Sequence, residues 1–382
     1  MVTALCEAAP SPLVSVVMPA YNASGLIKAS IHSILAQSFT NFEVIIVDDG
    51  STDDTLEIAH SYAAADPRVR VVSQQNAGVA SARNHGIRIA TGRYIAPIDA
   101  DDLWHRERLA RHIEALEAAG ESAVVVYSPF YIVDEEGLVI SASHDYHMTG
   151  CVLFRHLFYN AVGNGSGMTF RRNAVTWDAP YEPSLRARGA QGCEDFLIQL
   201  KLALNGEYVH VPEYLIGYRR HPENMSANIV AMKRSRVLAL AEIRPYIAWP
   251  WRWAVDWSML KEVGILLRFG LKRDGLAFLI QRPEPLVSTI GTAAALLLCL
   301  PHAVLLRIER VLQSRQRIPK GTPGQPFEGA SAPVESPSVP RVFVSPGYHL
   351  LKLMDRRIGY RAVAAFDKNH VPHTDRTTTS QQ

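Results

Sequence analysis

The stretch Tyr94-Ile-Ala-Pro-Ile-Asp99-Ala-Asp-Asp102 joins an apolar run to three carboxylates with no spacer. Tyr94 to Ile98 is expected to form a short buried strand, so Asp99, Asp101 and Asp102 fall just past its carboxyl end. In open α/β sheets that is the edge where ligands bind. Two carboxylates one residue apart can share a hard divalent cation, and Mg²⁺ is commonly held by one or two carboxylates together with substrate phosphates. A solvated acidic turn, or an N-cap for a helix beginning near Leu103, uses the same residue types. The flanking sequence decides between these readings.

Upstream, apolar strands alternate with helices. Val14 to Met18 is a strand punctuated by Pro19, and Ser24 is placed to cap a helix carrying Ile27, Ile31, Ile34 and Leu35 on one face. Glu43 to Val47 is a second strand ending in Asp48-Asp49-Gly50-Ser51, with a helix starting near Asp53. Val69 to Val72 is a third strand, and Asn76-Ala-Gly78 turns into a helix through Ala82, Ile87 and Ala90 that stops at Gly92. This alternation predicts a doubly wound, parallel sheet, and strands without polar alternation fit burial on both faces. Further on, the pattern predicts a helix over 106–119, a strand over 123–127 and a hairpin over 130–140. A loop Gly163-Asn-Gly-Ser-Gly167 precedes a segment Met168 to Arg171, Glu194-Asp195 opens a helix, and short strands follow at 208–211 and 214–218.

The chain has 382 residues, 48% of them hydrophobic, enough to bury a substantial core. Its 39 basic and 37 acidic residues give a net charge of +2, which offers no basic surplus for nucleic acid. Cys6, Cys151, Cys193 and Cys299 lie far apart, matching neither a disulfide framework nor a cysteine zinc site and suiting a reducing cytosol. The first residues lack the charged and apolar regions of a signal peptide. The expected organisation is an extension over 1–12, a catalytic domain over 13–222, a helical region over 223–312, and a Pro/Ser-rich linker and tail over 313–382. Leu286 to Leu306 is nearly uncharged and long enough to cross a bilayer, which takes about 20 residues. Basic residues flank both of its ends, so no orientation follows. A helix buried in the C-terminal region or lying on the inner membrane surface is the expectation, with Trp249, Trp251, Trp253 and Trp257 either at that interface or packing a helical core. The corresponding location is cytoplasmic, peripheral on the inner face of the cell membrane.

On the proposed sheet, three strand ends share one rim: Pro19-Ala20-Tyr21-Asn22, Asp48-Asp49, and Asp99-Ala-Asp101. A carboxylate there can accept from a base N–H or a ribose hydroxyl, and a tyrosine can stack on a base. Together with Val47-Asp-Asp-Gly-Ser-Thr-Asp53, Asn76-Ala-Gly78, Ala82-Arg-Asn-His-Gly86, Asp99-Ala-Asp-Asp102 and Glu194-Asp195, these residues resemble the ordered motifs of family 2 glycosyltransferases over roughly Val14 to His221. The resemblance implies a GT-A fold (a Rossmann-like, mostly parallel sheet with flanking helices), a nucleotide-sugar donor, a divalent metal (Mn or Mg), inversion at the anomeric carbon, and a saccharide or lipid-linked acceptor.

Carried over position by position, the resemblance assigns Asp49 to the nucleotide base, Pro19, Ala20 and Tyr21 to the same pocket, and Asp48 to its supporting wall. Asp101 becomes the main metal ligand, with Asp99 on the metal or the ribose. Asp195 matches the catalytic base and Glu194 its neighbour, while Arg83 is a candidate for the nucleotide side or for a surface salt bridge. A metal at Asp101 would offset charge building on the leaving phosphate, and a carboxylate on the opposite face can take the acceptor hydroxyl's proton. Processive members carry a Gln-x-x-Arg-Trp motif after the base; here the region reads Tyr218-Arg-Arg-His-Pro222, which favours single transfers. Arg219 and His221 remain free to reach a diphosphate or an acceptor, or to serve at the surface. Cys193, beside Glu194, lacks a partner histidine at a recognisable spacing for thiol chemistry. A nucleotide-dependent oxidoreductase would need a Gly-rich turn after the first strand, where the chain reads Pro19-Ala-Tyr-Asn-Ala-Ser-Gly25. A nucleotide-sugar-binding module without catalysis would lose the base or the metal acids, and Asp99, Asp101 and Asp195 are all present.

Overall fold

The computed structural model describes residues 11–268, except 144, 191, 223, 249 and 250, together with 324–327, 348 and 351–356. The elements run β1 (Val14–Ala20), α1 (Ile27–Leu35), β2 (Phe42–Asp48), α2 (Thr55–Ala65), β3 (Val69–Ser73), α3 (Val79–Ile89), β4 (Tyr94–Pro97), β5 (Leu103–Trp104), α4 (Arg108–Ala119), β6 (Ala123–Tyr127), β7 (Phe130–Val133) and β8 (Val139–Ala142). There follow α5 (Leu153–Phe158), β9 (Met168–Arg171), α6 (Ser184–Ala187), α7 (Glu194–Asn205), β10 (Glu207–His210), β11 (Ile216–Arg219), α8 (Ile229–Ile243) and α9 (Arg252–Arg268).

Strand periodicity builds two cores from one sheet. Side chains alternate across a strand, so Val14, Val16 and Met18 of β1 join Val44 and Ile46 of β2 and Tyr94 and Ala96 of β4 on one face. Val17, Ile45, Val47 and Ile95 enter the core on the other face. The seven-stranded sheet has the order β10-β6-β9-β4-β1-β2-β3. β1 pairs in parallel with β2 and with β4, and β2 with β3, so the carboxyl ends of β1, β2 and β4 share one rim as expected. The sheet is not wholly parallel: β9 lies antiparallel between β4 and β6. A four-stranded sheet, β5-β11-β7-β8, stands beside it and contains the hairpin expected near 130–140.

Local differences have local causes. Ser24 does not cap α1, which begins at Ile27 with Leu26 at its N-cap; the Ser24 amide instead donates to Asp53 Oδ2 at 3.1 Å. Asp53 also accepts from the Thr55 amide at 3.0 Å, joining the start of α2 to the loop after β1. Residues right after Asp102, which could have opened a helix, form β5 instead because Leu103 and Trp104 pair with β11. The C-terminal helices α8 and α9 pack on the core above α7 and α5, with Leu240, Ile243, Ala254, Val255 and Met259 buried. Trp251 lies edge-on to Phe154 as core packing, whereas Trp253 is exposed. Among the described residues no helix is long and apolar enough to cross a membrane; Leu286 to Leu306, Trp249 and Cys299 lie outside them. Parts of the stretch read as linker and tail pack onto the fold. The Val139 amide donates to the Gln325 carbonyl at 3.0 Å beside buried Phe327, and Asp355 accepts from the Phe154 amide at 2.7 Å.

Helix α3 crosses β1 so closely that a Cβ on Gly86 would lie 2.5 Å from Val17 Cγ1. Replacing Gly86 with valine should therefore destabilise the fold by about 1–3 kcal/mol through overpacking. The check is a lowered urea midpoint at unchanged slope.

Candidate active site

The acidic turn after β4 splits its three carboxylates between two jobs. Asp102 is fully buried; it accepts from Ser166 Oγ at 2.5 Å and from the Arg219 amide at 3.0 Å. Desolvation, with the charges of Asp101 and Asp99 beside it, pushes its carboxyl well above the usual range. It is a fixing point, out of a ligand's reach. Asp99 and Asp101 keep 30% and 26% of their side chains exposed. Ser166 Oγ donates from behind to fix Asp102, while the Asp99 amide is held 3.0 Å from the same hydroxyl. Beneath the loop carrying Ser166, the buried Arg108 guanidinium lies over the Trp104 ring and donates to the Met168 carbonyl at 2.6 Å.

Arg83, on α3, is buried and ion-paired with the partly exposed Asp99. Its guanidinium also lies 5.1 Å from the Tyr181 ring centre. It acts electrostatically on Asp195, which begins α7 more than a hundred positions downstream of β4's Tyr94. Asp195 is pushed up to about 7, first by burial and then by Glu194 and Asp99, against the pull of Arg83. A carboxyl raised from 3.8 to about 7 favours folding in its neutral form; that contribution is intact below about pH 4 and is lost as pH rises through 7. The glycine loop closes the group, since a Cβ on Gly165 would meet Arg83 at 2.9 Å. The Asn164 amide, the Tyr181 hydroxyl and Arg83 Nε have no hydrogen-bond partner among the described residues.

On the neighbouring strand ends, Asn22 adopts φ 47° and its side chain accepts from the Thr52 amide at 2.8 Å, joining the loops after β1 and β2. Tyr21 is 51% exposed at the end of β1, with Pro19 and Ala20 buried behind it. Asp48 accepts from the Ser51 amide and from Ser73 Oγ, at 3.2 and 3.0 Å. Asp49 is buried and accepts from Gln74 Nε2, the Ala77 amide and the Gly78 amide at 2.8, 2.9 and 2.7 Å. A carboxylate offers about four acceptor sites, so one remains on Asp49 for a ligand N–H.

Four further candidates resolve differently. Glu194 is buried and accepts from the Gly192 amide at 2.8 Å, holding the turn before α7. Cys193 is buried and its thiol is pushed up to about 12 by desolvation and by Asp195, unsuited to nucleophilic chemistry. Arg219 does not reach toward a diphosphate: it is buried and its guanidinium donates to backbone carbonyls of Asp101 (2.7 Å), Asp134 and Glu135. His221 does reach the site, its Nε2 lying 2.9 Å from Asp101 Oδ2. The sequence named His221 without fixing its role; no spacing rule links it to Asp101, because β11 meets the turn only through the second sheet.

The glycosyl transferase family 2 model matches residues 15–178. Chondroitin synthase of Escherichia coli is 32% identical over 215 residues, covering 56% of this chain and 30% of that protein. TuaG of Bacillus subtilis (strain 168), a glycosyltransferase named for teichuronic acid biosynthesis, is 46% identical over 104 residues, 27% of this chain and 41% of that one. The chain thus spans less than half the length of these curated relatives. S. aureus TarS (residues 1–349) in complex with UDP-GlcNAc shares the fold, with a TM-score of 0.50 at 18% identity over 74% of this chain and 79% of that one. The family match ends before Glu194, Asp195 and His221; folding alone brings them to the family 2 motifs at Asp49 and Asp99.

Because Arg83 pulls the Asp195 carboxyl down, Arg83→Met should raise its pKa above about 7. Carboxyl NMR titration checks this, and an unchanged value would mean that the two groups are electrostatically separate.

Proposed function

We propose that the protein is an inverting glycosyltransferase that moves one sugar from a uridine diphosphate sugar to an acceptor hydroxyl, with a divalent cation at Asp101. The carrying observation is Arg83 joining Asp99, on the donor-side rim, to Asp195, whose carboxyl sits near 7. A base of that strength is half deprotonated at neutral pH and suits proton abstraction from a hydroxyl.

The donor set fits a cation. Asp101 is pushed up by burial and by Asp99, and faces an imidazole nitrogen of His221. Two carboxylates with one imidazole suit Mn²⁺, and the carboxylates alone Mg²⁺, each completed by phosphate oxygens. Bound there by Asp101, His221 and Asp99, such an ion would supply Lewis-acid stabilisation of the leaving diphosphate. Tyr21 offers a face to the base, and the remaining acceptor site of Asp49 suits the N–H of uracil. As the acceptor oxygen bonds to the anomeric carbon, its proton passes to Asp195 and the bond to the diphosphate breaks, the electron pair leaving with the phosphate. One displacement from the face opposite the diphosphate inverts the configuration. Glu194 supports the turn that presents Asp195 instead of reacting itself.

Uridine is favoured because a protein of this fold was captured with UDP-GlcNAc. The relatives' names, chondroitin synthase and teichuronic acid biosynthesis, favour an acceptor in cell-surface polysaccharide or glycolipid synthesis. A lipid-linked acceptor, with the protein on the inner membrane face, rests on the apolar stretch Leu286 to Leu306.

Calorimetric titration of UDP should show binding that requires Mn²⁺ and that Asp101→Ala abolishes; no nucleotide bound by folded protein with metal present would sink the proposal. Asp195→Asn should lower kcat by about 10²–10⁴-fold while leaving UDP binding intact. Binding without turnover in the unsubstituted protein would instead favour a nucleotide-sugar-binding module. The free-enzyme kcat/KM should rise with pH through about 7 and then level, since Asp195 must be deprotonated to act. A rate independent of pH from 5 to 9 would remove Asp195 from the base role.

A further inference from the structure

We propose that Asp145, His147 and His210 form a second metal site, of the zinc class, distinct from the acidic pair at Asp99 and Asp101. One ligand atom from each residue lies within 4.8 Å of the others. His210 Nε2 is 2.8 Å from Asp145 Oδ1, and His147 Nε2 is 3.3 Å from Asp145 Oδ2. The two imidazole ring centres lie 4.6 Å apart, with the ring planes tilted by 55°. Ligands at about 2.0–2.1 Å from a tetrahedral Zn²⁺ stand roughly 3.3 Å apart. The two nitrogen-to-carboxylate distances lie within about half an ångström of that spacing.

Two imidazoles and one carboxylate are the donor set of open zinc sites, where water fills the fourth position. Hard cations such as Mg²⁺ and Ca²⁺ favour oxygen-only shells. The side chains of Asp145 and His210 are 3% and 4% exposed, while that of His147 is 31% exposed, so the fourth position opens on the solvent side. No cysteine takes part, so cysteine spacing carries no signal of this site.

The fold pre-positions the ligands. Asp145 and His147 lie on the loop after β8, and His210 ends β10, the outermost strand of the large sheet. His147 has φ 45°, a left-handed conformation that non-glycine residues adopt sparingly and that clusters at functional sites. Its amide donates to Asp145 Oδ1 at 3.0 Å, which turns the chain back so that both side chains face His210. The next residues are pinned to the sheet, the Met148 amide by the Tyr127 hydroxyl at 2.7 Å and Gly150 by an antiparallel bridge to Tyr208. A metal at this point would staple the loop to the sheet edge. That loop also seats the C-terminal segment, since the Tyr348 hydroxyl donates to the Tyr146 carbonyl at 3.2 Å. The site lies on the same rim as Asp99, three strands away in the order β10-β6-β9-β4, or roughly 14 Å at the usual strand spacing. A staple role therefore does not depend on the transfer reaction.

The test titrates Zn²⁺ into chelator-stripped, full-length protein, and into the His147→Ala and Asp101→Ala variants, by calorimetry. In parallel, Co²⁺ is added and its visible absorption followed. The expected result is an equivalent of Zn²⁺, beyond any bound at the Asp99–Asp101 pair, that His147→Ala loses and Asp101→Ala keeps, with the intense bands of four-coordinate Co²⁺ absent from the His147 variant alone. Zn²⁺ should also raise the Tm of the unsubstituted protein but not that of His147→Ala. If stripped wild-type protein takes up no Zn²⁺, or if folded His147→Ala titrates as wild type does, the proposal is overturned. His147→Gln, closer in size, replaces the alanine variant if circular dichroism shows the latter unfolded.

Discussion

The acidic rim of the sheet hangs on a carboxyl group that water does not reach. Asp102 sits directly behind Asp101 and is held by the Ser166 hydroxyl and the Arg219 amide. Each of those donors belongs to a different layer, the glycine loop before β9 and the end of β11. A hydrogen bond contributes about 0.5–1.5 kcal/mol, and leaving a buried acceptor unsatisfied costs about 1–3 kcal/mol. The acidic turn is therefore locked in one geometry before any ligand arrives. Asp99 and Asp101 can then face outward, because a third acid has taken the structural load. The Ser30 hydroxyl adds a tie from α1 to the Ala100 carbonyl at 2.8 Å.

Electrostatics joins that turn to the rest of the site. Arg83 is a single buried cation facing Asp99, Tyr181 and Asp195. Its position on α3 follows from Gly86, which lets the helix approach β1 closely. A buried guanidinium stays charged and is costly unless paired. Asp99 supplies the direct partner and Asp195 a more distant one, which leaves Asp195 closer to neutral and thus able to exchange a proton. The same helix spacing that packs the core thereby sets the chemistry of an acid from another layer.

Much of the fold was legible because its strands are continuous apolar runs ended by polar turns. The order of β1, α1, β2, α2, β3, α3 and β4 follows from periodicity alone, and so does the shared rim, given parallel pairing. What periodicity does not show is direction and partner. The antiparallel insertion of β9, and the pairing of Leu103 and Trp104 with β11 where a helix start was plausible, are long-range choices. Arg219 and His221 look alike in sequence, as basic residues two positions apart after a strand. One donates its guanidinium to backbone carbonyls and the other points at Asp101.

The sequence by itself determined the alternating sheet, the acids on its rim and the resemblance to family 2, because these rest on local residue pattern and order. Only the tertiary structure decided which of the three acids stay partly exposed, that Arg83 is a buried partner of Asp99, that Asp195 lies within its field, and that Asp145, His147 and His210 converge. The physical reason is that burial and electrostatic coupling depend on distances between residues far apart in the chain, which only the packing of layers sets.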